Sequence, residues 1–210
     1  MAYPVSFSVT PPVRPSKLQA RLAITFLVIV LAFGYIADFN GWLSVVFFGT
    51  IFAMPVLLAV PVLAAMLISQ KGGEQYLAEA EQGPISWLRY VMGFFSWMSF
   101  ASGKFPAQQD VVDLQVQPSG TPTAGSALLR IILVIPLAIA LLCSGIIFMY
   151  CWTVAAVSIL VKGTNPEWAA KAIRGYLRAT ARVLAYAASL VDEYPPFLDP
   201  ALYTNAEGES

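Results

Sequence analysis

The sequence predicts an all-α membrane protein with minor β structure. Four transmembrane helices form two parallel-repeat hairpins, and cytoplasmic short strands and amphipathic interfacial helices accompany them. Three observations lead there. Of 210 residues, 58% are hydrophobic and 11% charged, where a soluble domain carries about 25% charged residues, and mean hydropathy is +0.70. Three charge-free runs, Arg21 to Asp38, Asp38 to Lys71 and Arg130 to Lys162, are of membrane-crossing dimensions. Finally, the chain aligns with itself, marker by marker.

The N-terminal stretch is polar and punctuated by Pro4, Pro11, Pro12 and Pro15. It has no basic segment followed directly by a short apolar core, so no cleaved signal peptide is expected. Val5-Ser-Phe7-Ser-Val9-Thr-Pro11 alternates with period two, the pattern of a half-buried strand stopped by proline. Helices are expected at about 17–36 and 42–69, turning through Asp38-Phe39-Asn40-Gly41. Pro55 and Pro61 kink or split the second. Residues 84–102 read as a helix with Ile85, Leu88, Met92, Phe95 and Met98 at helical spacing. Arg89 is its only charge, and Trp87, Trp97 and Phe100 lie on its other face. It is too apolar for free solvent, which places it in the interface or against the bundle, with a further crossing as the rival.

Val112-Asp-Leu114-Gln-Val116-Gln-Pro118 repeats the strand pattern. The run from Arg130 to Lys162 is long for one span and short for two. Ser144-Gly145 near its middle offers a turn, with Arg130 snorkelling to the headgroups; one long tilted helix competes. Residues 166–191 then form an amphipathic helix. Ile173, Tyr176, Leu177, Thr180, Val183, Leu184 and Ala187 make one stripe, and Lys171, Arg174, Arg178 and Arg182 another. The basic stripe reads either as a contact for anionic lipid or as a solvated face over a core. Asp192-Glu193-Tyr194-Pro195-Pro196-Phe197 follows. Its prolines stiffen the backbone and its rings can wedge into a groove, closing the unit or meeting a partner.

The self-alignment decides the threading of the third run. The two strand patterns correspond. Arg21 matches Arg130, Lys71-Gly72 matches Lys162-Gly163, and Trp87-Leu88-Arg89 matches Tyr176-Leu177-Arg178. Phe105-Pro106 follows Arg89 at the spacing by which Tyr194-Pro195 follows Arg178. The units are therefore 1–107 and 108–198, with an acidic tail at 199–210. Two hairpins, repeated about an axis along the membrane normal, leave all 12 Lys and Arg on one side. The positive-inside rule makes that side cytoplasmic, both termini included.

The strand, the basic-headed apolar hairpin, the Arg-rich helix and Tyr194-Pro195-Pro196-Phe197 together resemble the bacterial domain-of-unknown-function family numbered 4389. The second unit carries the pattern over about 111–198. The first departs from it, showing Gly103-Lys104-Phe105-Pro106 where the family has a charged residue, tyrosine and two prolines. The resemblance implies a multi-pass protein of the bacterial inner membrane and no reaction.

Chemistry is scarce. Without histidine, Ser-His-Asp and Cys-His catalysis and histidine-ligated metals are excluded. Cys143 and Cys151 have no CxxC spacing and read as small core residues. Glu74, Glu79 and Glu81 beside Lys71 read as a solvated face, and Lys71-Gly72-Gly73 lacks the spacing of a phosphate loop. No carboxylate or basic group lies at mid-membrane to carry protons or ions, and the hydroxyls there bond back to helix carbonyls or join helices. No cofactor, metal or catalytic residue is expected. With net charge +0, neither is a nucleic-acid partner.

The expected function is that of a non-catalytic accessory or scaffold subunit of a larger membrane complex, in contact with other membrane subunits and with lipids, including anionic ones. A membrane-surface organiser or lipid-handling protein and a small uncharged-solute permease are the alternatives. Expected contacts with headgroups or the interface are Arg21, Arg89, Arg130, Lys171, Arg174, Arg178 and Arg182. Expected docking residues are Phe105, Pro106, Tyr194, Pro195, Pro196 and Phe197.

Overall fold

The two alternating segments pair with each other. In the computed structural model, which describes residues 3–12, 15–36, 57–106 and 112–196, β1 (Val5–Ser8) and β2 (Asp113–Val116) form an antiparallel two-stranded sheet. Val5 lies opposite Val116 and Phe7 opposite Leu114. All four point into the core, while Ser6, Ser8, Asp113 and Gln115 face outward. Period-two alternation thus places both apolar sets on one face.

The rest is helical. α1 spans Lys17–Ile36, bounded as its flanking charges imply. α2 is described over Leu57–Lys71 and buries Val60, Ala64, Ala65 and Ile68. The expected turn at 38–41 and the start of the second helix lie outside the described residues. After Gly72, in the left-handed region at φ 84°, comes the short α3 (Gly73–Ala78). α4 (Pro84–Met98) starts with proline in its first turn and buries Ile85, Leu88 and Met92. At 15 residues it is too short for a further crossing.

α5 (Ala124–Lys162) corrects the four-span expectation. It is one continuous helix of 39 residues, with no turn at Ser144-Gly145. Its start is fixed by a capping box in which the Thr123 hydroxyl accepts from the Ser126 amide and the Ser126 hydroxyl oxygen accepts from the Thr123 amide. Its end falls at Gly163, left-handed at φ 74°. Ser144 does not break it because its hydroxyl donates back to the carbonyls of Ala140 and Leu141. Pro136 is accommodated inside the helix. Among the described residues this is the one helix long and apolar enough, by length and composition, to cross a membrane.

Continuity also removes the charge argument for orientation. Arg130 and Lys162 stand roughly 48 Å apart along a rod rising 1.5 Å per residue. Placing every cation on one side, and with them both termini, therefore no longer follows.

α6 (Glu167–Ala187) packs antiparallel along α5: Trp168 faces Tyr150, Tyr176 stacks on Phe148, and Tyr186 lies beneath Arg130. It also touches β1 and α4. Every residue from Ala181 to Leu190 is buried. α6 is thus a central helix rather than one lying on a surface, which corrects its expected interfacial placement.

α4 and α6 end alike. Phe100 and Ser189, each eleven residues after the matched arginine (Arg89, Arg178), take φ 64° and 57°. Around Phe100 the amides of Ser99, Phe100 and Ala101 donate to the carbonyls of Phe95, Trp97 and Ser96. Around Ser189 the amides of Ala188, Ser189 and Leu190 donate to Leu184, Tyr186 and Ala185. These three bonds correspond in the two caps, and the first adds one from the Ser102 amide to the Ser96 carbonyl.

Candidate functional site

The most strongly determined polar constellation lies where α5 begins and α6 ends. Arg130 is 5% exposed. Its Nη1 donates to the carbonyls of Tyr186 at 2.7 Å and Val191 at 2.5 Å, and its Nη2 pairs with the Asp192 carboxylate at 2.5 Å. The guanidinium carbon sits 4.6 Å from the centre of the Tyr186 ring. Both carbonyls belong to the cap, where the chain has turned out of the helix; that of Tyr186 also accepts from the Ser189 amide at 3.0 Å, and that of Val191 lies beyond the helix. A planar fork with five N–H groups reaches both of them at once.

Arg130 therefore binds the protein interior, correcting its expected snorkelling to headgroups. Tyr194, 48% exposed, packs edge-on to Tyr186 at 5.5 Å, and its hydroxyl donates to the Leu133 carbonyl. Pro195 is buried and Pro196 exposed; Phe197 lies outside the described residues. Ser119 ties the ending to the chain after β2, its amide donating to the Leu190 carbonyl and its hydroxyl accepting from the Asp192 amide. Gly120 leaves room for Asp192, whose carboxylate fills the space a Cβ would need.

The end of α4 has a neutral counterpart. Gln19 Nε2 donates to the buried carbonyl of Ser102, which follows Arg89 at the spacing by which Val191 follows Arg178. Sequence reading missed Gln19, which has no matched polar residue at the head of α5. Arg21, the matched arginine, is exposed. Trp152 of α5 donates from Nε1 to the Met98 carbonyl at 2.9 Å and stacks on Phe100. Phe105 meets Trp97 edge-on at 5.2 Å, and Pro106 lies against Gly93.

The other expected headgroup cations are dispersed. Arg89 donates from Nε to the Leu114 carbonyl on β2 and pairs with Glu81. Lys171 is exposed, and Arg174 and Arg178 are half-buried. Arg182 is 3% exposed with its guanidinium 5.1 Å from the Tyr3 ring centre; its expected place at a lipid surface is corrected to a place inside the protein. Tyr3 donates from its hydroxyl to the Glu193 carbonyl, and burial pushes its phenol well above the usual tyrosine range.

Beside the cap, α2, α3 and the start of α4 enclose a groove of about 470 Å³. Its floor is closed by Tyr76, whose hydroxyl donates to the Ala188 carbonyl at 2.5 Å. Burial pushes the Tyr76 phenol up to about 12. At the rim, Lys71 pairs with Glu79 at 2.5 Å, and Gln75 donates to the same carboxylate. The Lys71 bond, then the Gln75 bond, holds Glu79 below the usual carboxylate range. Glu81 pairs with Arg89, so these two glutamates serve ion pairs.

Fold and site define a mostly helical protein with a small two-stranded sheet and, among the described residues, one membrane-length helix whose head is bound by arginine to the end of its neighbour. Residues 125–199 match the family described as Domain of unknown function (DUF4389). The match takes in α5, α6 and the ending on which Arg130 closes. No curated protein and no solved structure matches the chain.

Proposed function

We propose that the chain is a non-catalytic accessory or scaffold subunit of a larger complex in the bacterial inner membrane. The carrying observation is the length of the uncovered apolar face of α5. Large apolar side chains are exposed from Leu128, through Ile132, Ile139, Ile146 and Tyr150, to Val161. At 1.5 Å per residue that face is roughly 50 Å long, while the hydrocarbon core is about 30 Å thick. Tilt would have to exceed about 50° to submerge it, beyond the 0–40° that membrane helices adopt. Some 20 Å of apolar helix therefore needs cover other than lipid, and a second protein supplies it.

We also infer that the chain is two copies of one unit joined in tandem. The corresponding caps at Phe100 and Ser189 support this. So does the burial pattern counted back from Lys71 and Lys162: Val60, Pro61, Ala64, Ala65 and Ile68 are buried, as are Cys151, Trp152, Ala155, Ala156 and Ile159.

The test is purification of the tagged full chain from native membranes in mild detergent. Defined partners should co-purify, and photo-crosslinkers at Ile132 and Val161 should not both report lipid alone. A clean monomer with lipid-only adducts at both positions would remove the proposal.

A further inference from the structure

We propose that the groove between α2, α3 and the start of α4 is a binding site for one zwitterionic phospholipid. An acyl chain lies along α2, and the headgroup engages Lys71 and Glu79. The inference rests on the membrane reading above and goes beyond it by naming a ligand class.

The groove has both an apolar and a polar lining. Its wall is apolar, formed by Val60, Leu63, Ala64 and Leu67 of α2 and by Pro84 and Trp87 of α4. Its floor is dry, because the Tyr76 hydroxyl and the Ala188 carbonyl satisfy each other. Its polar lining is supplied by Lys71, Glu79 and Gln82. The volume of about 470 Å³ falls in the range of small-ligand sites. The wall continues into apolar side chains of α2 that are exposed outside the groove, Leu58 and Met66, so a chain in the groove stays in contact with hydrocarbon. Trp87 at the rim is 44% exposed, the position an indole takes between hydrocarbon and headgroups.

The charges select the headgroup. Lys71 and Glu79 pair with each other and are each 44% exposed, so the pair presents an ammonium to a phosphate on one side and a carboxylate to a head amine on the other. An anionic lipid would meet the lysine but be repelled by the glutamate.

The second half shows what fills such a gap when no ligand is meant to. The residue matching Trp87 is Tyr176, which stacks at 4.5 Å on Phe148 of α5. In the first half Trp87 lines the groove, with α3 lying between α2 and α4.

The experiment is native mass spectrometry of the full chain, released from mild detergent in the presence of phosphatidylethanolamine or phosphatidylglycerol. One phosphatidylethanolamine per chain should survive release, in preference to phosphatidylglycerol. Leu63→Trp, which fills the groove from a half-exposed position, should lower its occupancy about tenfold, through loss of buried methylene contacts. Met66→Trp, on the same helix but outside the groove, should leave it unchanged. Lys71→Gln should lower it about fivefold, and Glu79→Gln should shift the preference toward phosphatidylglycerol. Inorganic phosphate should not compete. Equal occupancy in Leu63→Trp and Met66→Trp, or displacement by phosphate, overturns the proposal. If carbonate washing extracts the wild-type chain from membranes, the membrane reading fails; if the chain stays and the groove variants are silent, only the lipid site fails.

Discussion

Replacing Arg130 by methionine tests whether the head of α5 is bound to protein or dissolved in headgroups. The substitution keeps the apolar stem and removes the guanidinium. In the wild type that group makes two hydrogen bonds to the Tyr186 and Val191 carbonyls and one ion pair with Asp192, at 5% exposure. Leaving a buried acceptor unpaired costs about 1–3 kcal/mol; the Val191 carbonyl is left so, while that of Tyr186 keeps the Ser189 amide. The carboxylate is 54% exposed, so water recovers most of its loss, and less than about 1 kcal/mol is assigned to it. The expected destabilisation is about 1–4 kcal/mol. For a chain of this size that lowers Tm by about 2–16 °C. Arg130→Lys should fall between, since one ammonium cannot span three acceptors arranged for a planar fork. Asp192→Asn should cost under about 1 kcal/mol. The assay is thermal unfolding of the purified full chain in detergent, followed by labelling of Cys151, which is buried in the fold. An arginine that only reached headgroups would be replaced by lysine without effect. Wild-type Tm in Arg130→Lys, with Arg130→Met no worse than Asp192→Asn, would refute the buried-anchor reasoning.

Four further outcomes are expected. Gly145→Ala should stabilise by about 0.5–1 kcal/mol, because glycine weakens a helix interior, and the new methyl would meet only the Tyr176 hydroxyl at an ordinary 3.6 Å. Gly145→Pro should cost about 3 kcal/mol or more; a chain that turned at Ser144-Gly145 would tolerate it, and the same unfolding assay decides. Ser189→Gly should stabilise by about 1 kcal/mol, since a non-glycine residue at φ 57° is strained by about that much; a lower Tm would contradict the left-handed cap. Tyr76 should remain protonated until about pH 12. Because its folded value lies above the ordinary 10.0, its contribution is complete below about pH 10 and is lost as pH rises toward 12. Difference absorbance of wild type against Tyr76→Phe reads this directly, and a phenol titrating near 10 would place it in water.

The sequence was most legible where one local period decides the answer. Charges flanking an apolar run of helix length set α1 at Lys17–Ile36, and period-two alternation located both strands. That β1 and β2 pair with each other was not legible, since two four-residue strands from distant parts of the chain carry no local sign of their partner. Ser144-Gly145 misled because serine and glycine mark turns in water. Within an apolar helix the serine hydroxyl bonds backward, and continuation leaves no backbone group unpaired. The basic stripe of α6 misled for a related reason. Periodicity shows that Lys171, Arg174, Arg178 and Arg182 share a face, but not what covers it, and here burial deepens along the face until Arg182 lies over Tyr3. Arg130 was singled out correctly and given the wrong partner. A cation at the head of an apolar run looks the same whether its acceptors are phosphates or the carbonyls of a helix cap.

Continuity of α5 gives Arg130 and Trp152 a joint consequence. Arg130 binds the end of α6, and Trp152 binds the end of α4 through the Met98 carbonyl. Both side chains belong to one uninterrupted helix, about 33 Å apart at its standard rise. The two matched caps are therefore held to a single rod, while the antiparallel strands join the halves elsewhere. A hairpin in place of the rod would hang the caps on two separately moving helices. The continuous helix instead fixes the spacing between the two caps, which is the property the proposed scaffold role requires.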